Sequence, residues 1–162
     1  MAFRSEMSPR EKRIPTFALN SARDLFAKLQ RDAELLDHEV TSDRFFNFVV
    51  TARHLAEWAD KDPSVPIAAR KRIRKFTKSE RFLLCRDLAN ACKHFVLRKS
   101  TVLVATRSAR GYGVGRYGHG GYGVGEEEIT LAPEQGEYDA IVFAREIVAA
   151  YGMAFGSQEG SV

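Results

Sequence analysis

The sequence predicts a mainly α protein: a four-helix bundle with a short basic helix and a β-hairpin inserted before the last helix. Three observations carry that expectation. Apolar residues recur at helical spacing in four long segments. A proline-bounded stretch, "KDPSVPIAARKRIRKFTK", holds a shorter helical pattern dense in Lys and Arg. Between the third and fourth long segments the period changes to alternation around a glycine-rich stretch. A chain of 162 residues with 44% hydrophobic content can bury a core as one domain. Eleven Phe argue against wholesale disorder.

The first helix is expected over 21–39. Ser21 followed by Asp24 suits an N-terminal cap, and Leu25, Leu29, Ala33 and Leu36 recur on one side. "LDHEVTSD" breaks that pattern and offers Thr41 or Ser42 as the next cap. The second helix, 43–61, is apolar over a broad arc holding Phe45, Phe48, Val49, Ala52, Leu55, Ala56 and Ala59, with Phe46 and Val50 extending it. A narrow polar stripe of Asn47, Thr51, His54 and Trp58 remains. Pro63 and Pro66 then end the helix and open the short basic one, which turns Ala69, Ile73 and Phe76 inward.

The third long helix is expected from about Thr77, with Glu80 completing a capping box, to about Arg98. Leu84, Leu88, Ala91 and Phe95 form its core stripe, flanked by Cys85, Cys92 and Val96. "STVLVATR" and "EEEITLA" read as the two strands of a hairpin spanning 100–132, with a Gly/Tyr-rich tip at 108–125. "EYDAIVFAREIVAAYGMAF" is the last helix, with Ile141, Ala144, Val148 and Tyr151 at core spacing. Residues 1–16 read as a flexible basic arm, 17–155 as the single helical domain, and 156–162 as a disordered tail.

Several classes are disfavoured. No apolar run reaches the roughly 18 residues needed to span a bilayer, so no membrane role is expected. "MAFRSEMSPREKRIPTF" lacks the apolar core of a secretory signal. Cys85 and Cys92 lie two helical turns apart, about 10 Å, too far to bridge. Two free, apolar-side cysteines suit a reduced, cytoplasmic setting. The His and Cys residues lack close-spaced ligand pairs, so no metal is expected and no cofactor is called for. "GVGRYG" matches G-x-G-x-x-G formally, but more glycine follows it where a dinucleotide site needs a helix. The formal net charge of +4 permits an acidic partner.

Candidate chemistry concentrates in "RDLANACKH". Asp87, Asn90 and His94 fall at i, i+3 and i+7, within about 60° on a helical wheel. Arg86, Asn90 and His94 follow an i, i+4, i+8 diagonal. A carboxylate near His orients the imidazole, and Arg86 or Lys93 could hold a phosphate. Those parts suit general acid–base attack on a phosphodiester by its neighbouring 2′-hydroxyl. They equally suit a histidine satisfied at a helix seam with solvated cations beside it. His54 joins the candidate site if the polar stripes of the second and third helices meet; a buried polar seam satisfying itself fits as well.

The phrases "FFNFVVTARHLAEW" and "RDLANACKHFVL", followed by a Gly-rich hairpin and a final amphipathic helix, resemble a family of uncharacterised bacterial helical proteins. The resemblance covers most of the chain and implies a fold without an established activity. More distantly, a helical arrangement with Arg, a polar residue and a late His resembles HEPN domains, many of them metal-independent ribonucleases. That resemblance implies His94 as acid/base, Arg86 on the phosphate, Asn90 and Asp87 orienting, and a homodimer. Arg86 is followed by polar Asp87 as the pattern asks, but seven residues separate Arg86 from His94 where it has four to six.

Two further features point to a partner. Six of the nine residues from Arg70 to Lys78 are basic: Arg70, Lys71, Arg72, Arg74, Lys75 and Lys78. Such a face attracts phosphate backbones, although charge runs are commonly just solvated faces. The hairpin tip repeats "GYGVG" at 111–115 and 121–125, so Tyr112, Tyr117 and Tyr122, with Arg110 and Arg116, could stack on bases. A mobile hairpin tip is the plainer alternative. The expectation is therefore a helical binding or interaction module, contacting an RNA or protein partner through the basic helix and the hairpin. A HEPN-like ribonuclease is the alternative.

Overall fold

The structure is a computed structural model that describes residues 18–93, 105–109, 128–133 and 136–156. The basic arm, most of the hairpin tip and all of the tail after Gly156 lie outside the described residues. Five helices are present: α1 (Ala22–His38), α2 (Ser42–Lys61), α3 (Ile67–Phe76), α4 (Glu80–Lys93) and α5 (Ala140–Phe155). Strands β1 (Ala105–Ala109) and β2 (Glu128–Ala132) form the antiparallel hairpin, and the two-residue β3 (Tyr138–Asp139) adds to β2, giving the order β1-β2-β3. The chain is thus mainly α, a helical bundle with a small hairpin before the last helix. Among the described residues no helix is long and apolar enough to cross a membrane.

Local signals set most helix ends. Ser21 caps α1, its Oγ accepting from the Asp24 backbone N–H at 3.1 Å, and Thr41 rather than Ser42 caps α2. Asp139 caps α5, accepting from the N–H groups of Ile141 and Val142 at 2.9 and 3.0 Å. These side-chain acceptors satisfy N–H groups that lack an intrahelical partner.

The boundary between α3 and α4 differs from the expected one. Thr77 is the last half-turn of α3: its N–H bonds the Ile73 carbonyl and its hydroxyl donates to the Arg74 carbonyl. Ser79 opens α4 instead, with its carbonyl accepting from Leu83 N–H at 2.9 Å and its Oγ from Phe82 N–H at 3.4 Å. A hydroxyl committed to the preceding helix cannot cap the next one.

Helix α2 is central, touching α1, α3, α4 and α5. It runs antiparallel to α1, as three contacts along it show: Ala22 N–H to Asp62, Lys28 to Thr51, and Arg44 to the Leu35 carbonyl. Phe48, Val49, Ala52, Leu55 and Ala59 are buried to within 1% exposure. Phe46, expected to extend that arc, is 45% exposed. It sits about 100° round the helix from Phe45, past the edge of the buried face. Thr51, expected on the polar stripe, is buried: it accepts from Lys28 Nζ at 2.8 Å and lies 2.7 Å from Asp32 Oδ2. The α1–α2 seam is therefore polar where it reaches Thr51, and its groups are mutually satisfied.

The remaining core joins all five helices. Phe143, Ala144 and Ile147 of α5 are buried, as are Leu84 and Cys85 of α4 and Ile129 and Leu131 of β2. Cys85 Sγ lies 3.7 Å from the Val49 carbonyl, and burial pushes its thiol up to about 12, outweighing the charge of Arg53. Such a thiol behaves as a small hydrophobe.

Candidate functional site

The short helix α3 lays out its charges by simple geometry. At about 100° per residue, Ala69, Ile73 and Phe76 share one side, and the first two are buried. Arg70 and Arg74 fall on one flank of the opposite face, and Lys71 and Lys75 continue it. Arg74, Lys71, Lys75 and the following Lys78 are all exposed. Lys71, Lys75 and Lys78 make no ion pair with any described residue, so their charge is uncompensated at close range. Arg72 points elsewhere: its Nε donates to the Ala154 carbonyl at 2.9 Å, near the C-terminus of α5. There a cation satisfies an orphan carbonyl and the negative end of the helix dipole, so Arg72 serves the fold.

Between α2, α3 and α4 this ridge borders a cleft of about 340 Å³. Arg53, Glu57 and Asp60 of α2 line it, with Ala56 beneath; Arg70, Ile73 and Arg74 come from α3, Thr77 from the turn, and Phe82 and Arg86 from α4. Arg53 Nη2 pairs with Glu57 Oε1 at 2.9 Å, and Arg74 pairs with Asp60 Oδ1 through Nε at 2.7 Å and Nη2 at 2.6 Å. Arg70 is tied to backbone, donating from Nε to the Val65 carbonyl and from Nη2 to the Asp62 carbonyl. Arg86 donates from Nε and Nη2 to Asp87 Oδ1, and Asp87 is only 2% exposed.

Asp62 fastens the edge of this region. Its Oδ2 accepts from Ala22 N–H at 2.7 Å, joining the start of α1 to the end of α2, and its Oδ1 accepts from Ser64 N–H. Burial alone would raise its pKa, but the N–H of Ala22, both donors of Ser64 and the nearby charge of Arg70 hold it below the ordinary 3.8. A depressed carboxylate contributes stability above its unfolded value and loses it as pH falls through the folded one. Melting temperatures of the wild-type protein are therefore expected to fall below about pH 4, and Asp62→Asn to show a shallower acid limb. Parallel curves for the two proteins would remove Asp62 from the acid-sensitive set.

The structure keeps Arg86, Asp87 and Asn90 together on α4 and leaves His54 on the solvent side of α2. Arg86 reaches the cleft, Asp87 is buried behind it, and Asn90 is half-buried on the same helix. His54 is exposed. Helix α4 meets α2 at Val49, about 140° round α2 from His54, so the α2 polar stripe does not turn toward α4. Asn47 is also exposed. His94, Arg110, Tyr112, Arg116, Tyr117 and Tyr122 lie outside the described residues, and Lys93 is described only as backbone.

Four cleft residues escaped the sequence reading, the core ring Phe82 and three charged side chains. Arg53, Glu57 and Asp60 fall at i, i+4 and i+7, one edge of α2 within about 60°. That spacing was available, but it reads as a solvated helix edge until α3 folds across it.

Fold and surface together define a small helical bundle in which Lys71, Lys75 and Lys78 stand exposed along and just after α3. The comparisons with protein-family models, with curated proteins and with solved structures find no match.

Proposed function

We propose that this protein is a helical binding module that contacts nucleic acid through the exposed face of α3. The observation that carries the reading is the uncompensated ridge Lys71, Lys75 and Lys78, continued by Arg74 and Arg70 at the cleft edge. A row of lysines without carboxylate partners suits phosphate backbones, because their charge is already exposed and exchanges only counterions. The sequence adds Tyr112, Tyr117 and Tyr122 of the Gly/Tyr-rich hairpin as base-stacking partners. The bundle supplies the scaffold and the contact is largely sequence-independent.

A second reading, the HEPN-like ribonuclease, is favoured by one observation: Arg86 opens into the cleft with polar Asp87 holding its guanidinium. In it Arg86 holds the scissile phosphate and His94 moves the proton.

One experiment addresses both. Labelled single-stranded RNA is titrated with wild-type protein, Lys71→Glu/Lys75→Glu and His94→Ala, and the RNA is then run on a denaturing gel. The double variant is expected to bind at least about tenfold more weakly, with the salt slope reduced by roughly 1.4 for two lost phosphate contacts. Undiminished binding would remove α3 from the interface. Cleavage by the wild-type protein that His94→Ala abolishes supports the nuclease; intact RNA with both proteins, or equal cleavage, rejects it.

A further inference from the structure

We propose that the cleft between α2, α3 and α4 is a binding site for a small hydroxylated phosphomonoester of the sugar-phosphate class, a role beyond the nucleic-acid contact on the ridge. The charge of the cleft is the first argument. Arg53, Arg70, Arg74 and Arg86 line the cleft with Glu57 and Asp60; Asp87 behind the wall engages Arg86, which leaves one cation in excess. That excess favours an anionic ligand, and a phosphomonoester is one near neutral pH. Guanidinium groups offer the forked donors that phosphoryl oxygens take.

The free hydrogen-bonding capacity is the second argument. Arg70 spends Nε and Nη2 on backbone carbonyls, so Nη1 remains without a partner among the described residues. Among the described residues Arg53 spends only Nη2, and Glu57 only Oε1. Arg74 places both its donors on the single oxygen Oδ1 of Asp60. The cleft therefore presents spare donors for a phosphoryl group and, from Glu57 Oε2 and Asp60 Oδ2, spare acceptors for neighbouring hydroxyls.

Size and shape complete the case. A volume of about 340 Å³ stands at the small end of ligand sites. Among the described residues the one ring in the lining, Phe82, is 3% exposed and engaged edge-on with Phe76 and Tyr151. The described lining offers no aromatic face to a flat base, which favours a saturated, hydroxylated ligand body. Charged walls over a small apolar floor of Ala56 and Ile73 suit such a molecule better than a lipid or an aromatic compound.

Calorimetry of the full chain at low salt tests this with ribose 5-phosphate, glucose 6-phosphate, inorganic phosphate and AMP. At least one sugar phosphate is expected to bind at a single saturable site, about tenfold or more tighter than inorganic phosphate. Arg53→Gln should weaken that binding about tenfold, for one lost charge-assisted contact. Glu57→Gln should strengthen inorganic phosphate, by releasing Arg53, while erasing the preference for the sugar. The Arg53–Glu57 pair lies at the surface, with side chains 28% and 46% exposed, so both variants should melt like the wild type. Lys71→Glu/Lys75→Glu should leave sugar-phosphate binding within a few-fold of wild type. Its loss there would mean attraction by general charge and would overturn the site independently of whether RNA binds the ridge. Absence of saturable binding, equal affinity for inorganic phosphate, or tighter binding of AMP than of ribose 5-phosphate would each overturn it too.

Discussion

Replacing Tyr151 by Ala is expected to destabilise the protein by about 3–5 kcal/mol, the range for deleting a buried aromatic side chain. Tyr151 of α5 is fully buried and its ring meets one residue from each of three other helices: Phe26 of α1 at 6.5 Å, Phe76 of α3 at 5.4 Å and Phe82 of α4 at 6.4 Å between centroids. Its hydroxyl donates to the Ala52 carbonyl of α2 at 2.7 Å, so one side chain touches every other helix of the bundle. Burial pushes its phenol well above 10, which keeps it a neutral donor. Tyr151→Phe should cost only about 1 kcal/mol, because the ring contacts survive and a single hydrogen bond is lost. Urea denaturation separates the two: the midpoint should fall far for Ala and slightly for Phe, at similar slopes. A Tyr151→Ala midpoint close to that of Tyr151→Phe would mean that the rings around it repack without it.

That hub shows why the fold was more legible than the site. The spacing of Ile141, Ala144, Val148 and Tyr151 predicts the inward face of α5 from periodicity alone, and three of the four are buried. Periodicity reports one helix at a time, and burial follows wherever a bundle forms. Which polar edges meet depends on rotations between helices, and no local pattern encodes those. The α2 edge of Arg53, Glu57 and Asp60 became a cleft wall only because α3 turns back across it after Pro66. His54, carried by the same helix, was left on the solvent side. Thr51 fell into the α1–α2 seam for a similar reason, with Lys28 and Asp32 of α1 arriving to satisfy it. Competition for a hydroxyl also explains the shifted start of α4: Thr77, the expected cap, is committed to the end of α3, and Ser79 serves α4 instead.

Arg86→Ala is the second substitution with a large expected effect, and its cost comes from the neighbour it leaves behind. Asp87 is 2% exposed, and the Arg86 fork reaches its Oδ1 at 3.1 and 2.9 Å. Removing one partner of a buried pair leaves a desolvated charge short of compensation, an effect of about 3–5 kcal/mol when both partners are buried. The Arg86 side chain is 35% exposed, so solvent already screens part of the interaction, and about 2–3 kcal/mol is the expected loss. Arg86→Met/Asp87→Leu, which removes the buried carboxylate together with its arginine, should recover part of that loss. An additive double variant, as unstable as the two single changes summed, would show that Asp87 relies on other partners. Arg86→Lys keeps the charge but replaces the fork with a point donor. If Arg86 holds a scissile phosphate, Arg86→Lys should lose cleavage at nearly wild-type stability, whereas a purely structural arginine would lose stability alone. Measuring melting temperature and RNA cleavage on the same preparations therefore separates the arginine that supports Asp87 from the arginine that faces the cleft.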